Sequence, residues 1–402
     1  MLIPKFESWD AKETLAQWSI VGSIYIHQDE PARLKSVSSG QVALLWSLRA
    51  IVGPFSTDML DEAVTWLDKG ATQIVLQTSY EQLVAGVASD LPPSRVLLSL
   101  KLTDEQLIEP ALIALLPSVS AGVFLTEANP SAVASFRKSV PDNYRVAIVD
   151  APIDLLSSFH TQHIDLVAAP TIEPGLAFTQ CLRSDRPDGL FTTVVTDTSG
   201  VALGLVYSSQ ESIIASVAEG RGIFYSRSRG GLWRKGDSSG HIQELKQLDM
   251  DCDSDAIRCI VLQHDRSSPT PDTGSFCHLM TRTCWGPSAG LQELQQTLQE
   301  RLDSAPAGSY TKRLFDDRTL LRNKLVEEAQ ELAEAEEPKH VAEETADVLY
   351  FAMVRAIAAG VSIRDIELEL NMRSRKLKRR PGNAKTYRIE AAASILGQSA
   401  QQ

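Results

Sequence analysis

Asp251-Cys252-Asp253-Ser254-Asp255 interleaves one thiol with three carboxylates, and Cys277 and Cys284 follow as a Cys-x6-Cys pair. Soft thiolates suit zinc and hard carboxylates suit magnesium, so this short stretch offers donors for two different cations. Cys259 lies in the apolar run Cys259-Ile-Val-Leu262 and reads as core, as does Cys181. Three thiols remain, enough to hold a tetrahedral zinc with one position open for water. An open position is what a hydrolytic zinc needs and a structural one lacks. Just upstream, Tyr225–His241 is dense in serine, arginine and glycine. Backbone amides, hydroxyls and guanidinium forks are what phosphate recognition uses. Arg227, Arg229, Trp233, Lys235 and Ser239 are therefore substrate-binding candidates, although a polar hairpin loop would look much the same.

A second constellation lies near the C-terminal end. Glu328 and Glu331, then Glu344 and Asp347, are spaced to share a helix face. If the two helices pack antiparallel, four carboxylates converge and repel unless divalent cations neutralise them. Magnesium, bridging to a polyphosphate, is the natural choice. Alone, either pair reads more simply as a solvated helix face, and an isolated Asp-x-Asp-x-Asp as a solvated turn.

The elements that must position these groups fall into three stretches, giving a multidomain α/β, mainly-β and all-α chain. Residues 1–184 alternate apolar runs with helical segments at the spacing of βα units. The expected strands are Val42–Leu48, Gln73–Gln77, Arg95–Leu100, Gly122–Leu125, Arg145–Val149 and Ile164–Ala168. Helices are expected over Asp58–Lys69, Thr103–Leu116 and Pro130–Lys138. The strands are continuous apolar runs, as in a parallel sheet covered on both faces. The stretch is shorter than the roughly 250 residues of a typical eightfold barrel, so a partial barrel or open sheet is expected. Residues 185–286 read as a compact β-rich domain with a helix at Gln210–Ala218, and Pro287–Gly290 as a linker. Residues 287–402 read as a helical bundle over Leu291–Leu302, Arg318–Glu334, His340–Ala359 and Ile363–Arg375, with Ala392–Gln402 frayed. The basic run Arg373–Arg380 reads as the end of an amphipathic helix, where cations favour the C-terminus.

Composition narrows the classes. The chain has 402 residues, a formal charge of −12 and 43% hydrophobic content. The acidic balance argues against a nucleic-acid binder. No apolar run reaches the roughly 20 residues of a membrane helix, and the N-terminal residues do not resemble a secretory signal. Five cysteines, three in metal-like surroundings, fit a reducing, cytoplasmic setting.

Ser226-Arg-Ser-Arg229, Leu232-Trp-Arg-Lys-Gly236, Ser239-Gly-His241, the aspartate triplet and Cys277-His-x5-Cys284 occur in one order. Together they resemble phosphoribosyl-AMP cyclohydrolase, the third step of histidine biosynthesis. The resemblance implies magnesium on Asp251, Asp253 and Asp255. It implies catalytic zinc on Cys252, Cys277 and Cys284, shared across a homodimer, with Cys252 of one subunit meeting the other two cysteines of its partner. It further implies water attack at C6 of an N1-ribosylated adenine, with His241 or His278 relaying a proton. For either histidine a structural hydrogen bond is the plainer role. The segment Ser267–Gly274 departs from the pattern as a Pro/Ser-rich insert. Ser309-Tyr-Thr-x-Arg-Leu-Phe315, Lys324-x2-Glu-Glu-x2-Glu331 and Glu344-x2-Asp347 resemble phosphoribosyl-ATP pyrophosphohydrolase, an all-α family catalysing the second step. That resemblance implies magnesium on Glu328, Glu331, Glu344 and Asp347 and Glu327 as candidate general base. Lys312, Arg313, Arg322 and Lys324 become candidates for phosphate contact.

The first stretch adds little chemistry. Asp61–Leu76 faintly resembles the phosphate-binding barrels of the same pathway, and Asp150 at a strand end is more simply structural. An extra domain ahead of two such domains resembles fungal multifunctional histidine-biosynthesis proteins. Those continue into a histidinol dehydrogenase, which is absent here, so a bifunctional or a truncated protein is expected. Two other readings compete: a scaffold with structural zinc, and a broad-specificity nucleoside-triphosphate pyrophosphohydrolase.

Overall fold

A computed structural model describes residues 1–28, 31–35, 37–86, 91–268, 274–286, 290–306, 308–377 and 385–399. The chain forms two compact units, residues 1–286 with 375–377 and the remaining C-terminal residues. The expected layout of a βα stretch, a β-rich stretch and a helical stretch is what the chain adopts.

The βα stretch closes into a full eight-stranded parallel barrel, where a partial barrel was expected. Its strands are β1 (Leu2–Phe6), β2 (Ile24–His27), β3 (Ala50–Phe55), β4 (Gln73–Gln77), β5 (Val96–Leu100), β6 (Gly122–Leu125), β7 (Arg145–Val149) and β8 (Ile164–Ala168). Closure is direct, with Ile3 opposite Val167. One residue from each strand fills the interior: Ile3, Tyr25, Ile51, Val75, Leu97, Phe124, Ala147 and Val167. The barrel fits in so few residues because, among the described residues, none of its connecting helices exceeds ten. The expected strand Val42–Leu48 is instead helix, Ser39–Ser47. Ser38 accepts from the Gln41 amide while the Gln41 side chain accepts from Ser38 N, and this capping box starts the helix. Asp150 sits at a positive φ of 57° and pairs with Lys5 at 3.1 Å.

The second part of this unit is a six-stranded sheet of β9 (Phe191–Thr196), β10 (Ala202–Ser208), β11 (Ile223–Ser226), β12 (Gly231–Arg234), β13 (His241–Met250) and β14 (Ala256–Asp265). The order is β12-β11-β10-β9-β14-β13. Only the β14–β9 pairing is parallel, and the helix Gln210–Glu219 crosses between β10 and β11. The β13–β14 hairpin matters most, because its turn is the aspartate triplet.

In the helical unit, Leu298, Leu314, Leu321, Phe351, Met353, Val354, Ile357 and Ile363 form one apolar core. Helices run over Leu291–Ser304, Tyr310–Asp316, Arg318–Glu334, Pro338–Ile357 and Ile363–Ser374. The final stretch, expected to fray, is helical over Thr386–Ser399. Within the basic run, Arg373 pairs with Glu369 at 3.5 Å on the last turn of its helix. Lys378–Arg380, part of the Ser267–Gly274 insert and most of the Pro287–Gly290 linker lie outside the described residues.

Candidate active sites

The Cys277–Cys284 loop follows β14 and folds back on β10, where Cys284 N donates to Leu203 O at 2.8 Å. Its approach requires Gly204, since a Cβ there would come within 2.1 Å of the Phe276 ring. A buried ion pair clamps the loop from beneath, Arg282 to Asp197 at 3.0 Å, with both side chains nearly solvent-free. Asp197 also accepts from Ser199 N and Val201 N in the β9–β10 turn. Cys277 and Cys284 line one cavity. The Leu279 N–H and the Thr281 side chain hold Cys277 below the usual thiol range, whereas burial and the neighbouring Cys277 push Cys284 up. The Lys235 ammonium lies beside them, buried and donating to His241 O and Ser275 O at 3.4 and 3.3 Å. Burial lowers its pKa, opposed by the two sulfurs.

These groups line a cavity of about 540 Å³ that also takes in Ser226, Arg229, Trp233, Ser239, His241 and His278. Gly236, at a φ of 90° with the His241 carbonyl 2.5 Å from where its Cβ would lie, brings the Lys235 and His241 segments together. The His241 ring is buried and its Nδ1 accepts from Ser275 N at 3.2 Å. His278 is exposed, with Nδ1 3.8 Å from Cys277 Sγ. Arg227 lies in an adjoining hollow, stacked on Tyr207 at 4.1 Å, and Arg186 stacks on the same ring at 4.4 Å. Two guanidinium groups around one phenol make a fixed basic surface suited to phosphate. Sequence reasoning missed Tyr207, Arg186 and the Asp197–Arg282 clamp. They come from different strands and loops, and no local spacing marks them.

Cys252 does not join Cys277 and Cys284: among the described residues, the three sulfurs form no cluster within 4.8 Å. It is exposed on the β13–β14 turn and lines a different cavity. The carboxylates of that turn do converge, Asp251, Asp253 and Asp255 lying within 4.8 Å of one another. Asp251 accepts from Asp255 N and Ala256 N at 3.0 and 3.1 Å, and these bonds hold it below the usual range against its partial burial. Desolvation and the charges of Asp253 and Asp251 push Asp255 up. Three mutually repelling hard oxygen donors fit a divalent cation such as magnesium. The two thiols, one already acidified, are soft donors of the kind that suits zinc.

In the helical unit, Glu328, Glu344 and Asp347 converge within 4.8 Å from the helices Arg318–Glu334 and Pro338–Ile357. Glu331 stands beside them, pushed up by desolvation and the Glu344 charge. Glu328 and Glu344 are buried, and Glu344 Oε2 has no hydrogen-bond partner while Oε1 faces His340 Nε2 at 3.1 Å. A buried carboxylate oxygen without a donor costs free energy that a bound cation would offset, so this donor set fits magnesium. Lys324 bridges Glu328 at 2.6 Å and Glu327 at 3.0 Å, and these acids raise its pKa against desolvation. Lys312 pairs with Asp316 at 3.2 Å, and Arg313 is exposed. Arg322 lines a separate cavity with Arg318 and Arg355, on a different helix face from the acids.

The phosphoribosyl-AMP cyclohydrolase family profile matches residues 204–286, and the phosphoribosyl-ATP pyrophosphohydrolase profile matches residues 291–374. A histidine biosynthesis trifunctional protein of Neurospora crassa is 39% identical over 84% of this chain and 39% of its own length. The histidine biosynthesis bifunctional protein his7 of Schizosaccharomyces pombe is 48% identical over 50% of this chain and 46% of its own. The histidine biosynthesis bifunctional protein HisIE of Pyrococcus furiosus is 31% identical over 47% of this chain and 93% of its own length. The chain belongs to this family of histidine-biosynthesis proteins that join a phosphoribosyl-AMP cyclohydrolase domain to a phosphoribosyl-ATP pyrophosphohydrolase domain. It spans less than half the length of either fungal relative, and the match to the Neurospora crassa protein extends over much of the barrel. Among the described residues, no helix is long and apolar enough to cross a membrane.

Proposed function

We propose that the chain is a bifunctional hydrolase of histidine biosynthesis. The helical unit converts phosphoribosyl-ATP to phosphoribosyl-AMP and pyrophosphate, and the β-rich part then opens the adenine ring. The observation that carries this reading is the coincidence, in each matched stretch, of a convergent acidic cluster with basic side chains suited to phosphate.

In the helical unit, Glu328, Glu344 and Asp347, with Glu331, would hold magnesium, which when bound neutralises polyphosphate charge. Lys324, held between Glu327 and Glu328, is placed to meet the phosphates on the rim of that cluster. Glu327, less buried than Glu328 and paired with Lys324 through Oε2, is the carboxylate assigned to take the proton of attacking water.

In the β-rich part, Arg227, Arg229, Ser226 and Ser239 take the phosphate groups and Trp233 the base. Cys277 and Cys284, with Cys252 from a second copy, would hold zinc, which when bound makes hydroxide available near neutral pH. Lys235 offsets the charge that two thiolates bring into a half-buried loop. Water oxygen ends on C6 as the carboxamide oxygen, the N1–C6 bond breaks, and the two water protons end on N1 and on the exocyclic nitrogen of C6. His241 accepts from Ser275 N through Nδ1, so its neutral ring carries a proton on Nε2 and serves as a donor. His278, exposed beside Cys277, is placed to relay protons to solvent. The aspartate triplet would hold magnesium near substrate phosphate. The zinc site is complete only as a homodimer, and the thiolates call for a reducing cytoplasm.

Incubation with phosphoribosyl-ATP, zinc and magnesium, following both products over time, tests the reading. Cys284→Ser is expected to leave pyrophosphate release intact and let phosphoribosyl-AMP accumulate. Glu328→Gln is expected to stop pyrophosphate release while supplied phosphoribosyl-AMP is still opened. Equal turnover of common nucleoside triphosphates would replace the second-step assignment with a broad-specificity pyrophosphohydrolase.

A further inference from the structure

The barrel grips the β13–β14 hairpin beside its aspartate turn. Ser254, between Asp253 and Asp255, is buried within an otherwise exposed turn and holds a left-handed φ of 65°. Its hydroxyl hydrogen-bonds His160 Nε2 at 2.9 Å, from the barrel helix Leu156–His160. Its carbonyl accepts from Arg183 N at 3.0 Å, and the Arg183 guanidinium pairs with Asp253 at 3.1 Å. At the end of β13, Asp249 pairs with Arg49, which is fixed to the barrel by bonds to Ser19 O and Ile20 O at 2.9 and 2.8 Å. Arg49 precedes β3 and His160 precedes β8, so both lie on the N-terminal face of the barrel, the face where side chains usually serve stability.

We propose that the barrel is the positioning element of the ring-opening site, with His160 and Arg49 holding the Asp251–Asp255 turn in the conformation that presents Cys252 and the three carboxylates. Three like charges and a strained backbone residue do not keep such an arrangement unaided. The His160 ring bonds the Ser254 hydroxyl rather than a carboxylate or thiol of the turn, so it is a positioning residue. Groups that orient metal ligands from outside the ligand set typically change metal affinity by 10–100-fold. The inference rests on the proposed ring-opening function for its catalytic consequence, but not for the tether itself.

The test uses the full chain with His160→Ala, His160→Gln and Ser254→Gly, the last removing the hydroxyl while accommodating the positive φ. Hydrogen exchange of the 250–256 segment reads the tether, and zinc competition with a chromophoric chelator reads its effect on the site. In His160→Ala and Ser254→Gly, exchange of 250–256 is expected to rise and zinc retention to fall ~10-fold, with pyrophosphate release unchanged. His160→Gln, whose amide can still reach the hydroxyl, is expected to recover most of the retention. Unchanged exchange or unchanged zinc retention in either folded variant overturns the proposal. So does a loss that extends equally to pyrophosphate release, which would mark general destabilisation. If the unsubstituted chain opened no adenine ring, the functional reading would fail while the exchange result still decided the tether.

Discussion

Individual side chains here work in opposed pairs whose balance depends on burial. Asp197 and Arg282 are almost solvent-free and pair at 3.0 Å, so each offsets part of the other's burial cost. Asp197→Asn is expected to remove the carboxylate charge that faces Arg282 and to destabilise the first unit by about 3 kcal/mol. It should appear as a lowered melting transition of the first unit together with faster zinc loss, because Arg282 lies within the Cys277–Cys284 loop. Cys277, Cys284, His241 and the aspartates were readable as chemistry from residue type and spacing. Lys235 was readable as a substrate-binding candidate, not as a neighbour of the two thiols. Its place against two carbonyls and beside two sulfurs depends on where the loop after β14 returns, which local sequence does not encode.

The decisive element of the helical unit is the antiparallel helix pair. Periodicity located both helices because their apolar residues recur at helical spacing and bury against one core. It also placed the acids on common faces, yet it gave no means of seeing that Glu344 Oε2 is buried without a donor. Glu344→Gln is expected to raise the melting temperature measured in EDTA, since it relieves repulsion with Glu328 and Asp347. It should also reduce magnesium-supported pyrophosphate release by about 100-fold or more. A melting temperature that falls in EDTA would show that the carboxylate is held by donors rather than by a cation. Among the barrel strands, β4, β5, β6, β7 and β8 were legible because buried parallel strands are continuous apolar runs. The run Val42–Leu48 was misread for the same reason, since a short apolar run is equally a buried helix.

At the scale of the whole molecule, the proposed zinc site takes Cys252 from a second copy, because within one chain it lies apart from the other two thiols. Mixing Cys252→Ser with Cys284→Ser chains tests this directly. Each mixed dimer would carry one intact trio and one doubly broken trio. With random exchange, half the dimers are mixed, and ring opening should return to about a quarter of the unsubstituted rate from near zero in either variant alone. No recovery after subunit exchange, verified by size and mass, would place all the zinc ligands within one chain.

Sequence alone settled the donor types, their order along the chain and the family to which they belong, because chemistry resides in side chains and spacing fixes which of them share a helix face or a turn. Only the tertiary structure decided that the barrel closes, that it holds the aspartate turn through His160 and Arg49, and that the third thiol lines a different cavity from the first two. Those outcomes follow from contacts between residues far apart in sequence, whose free energies depend on which surfaces are buried together rather than on any local pattern.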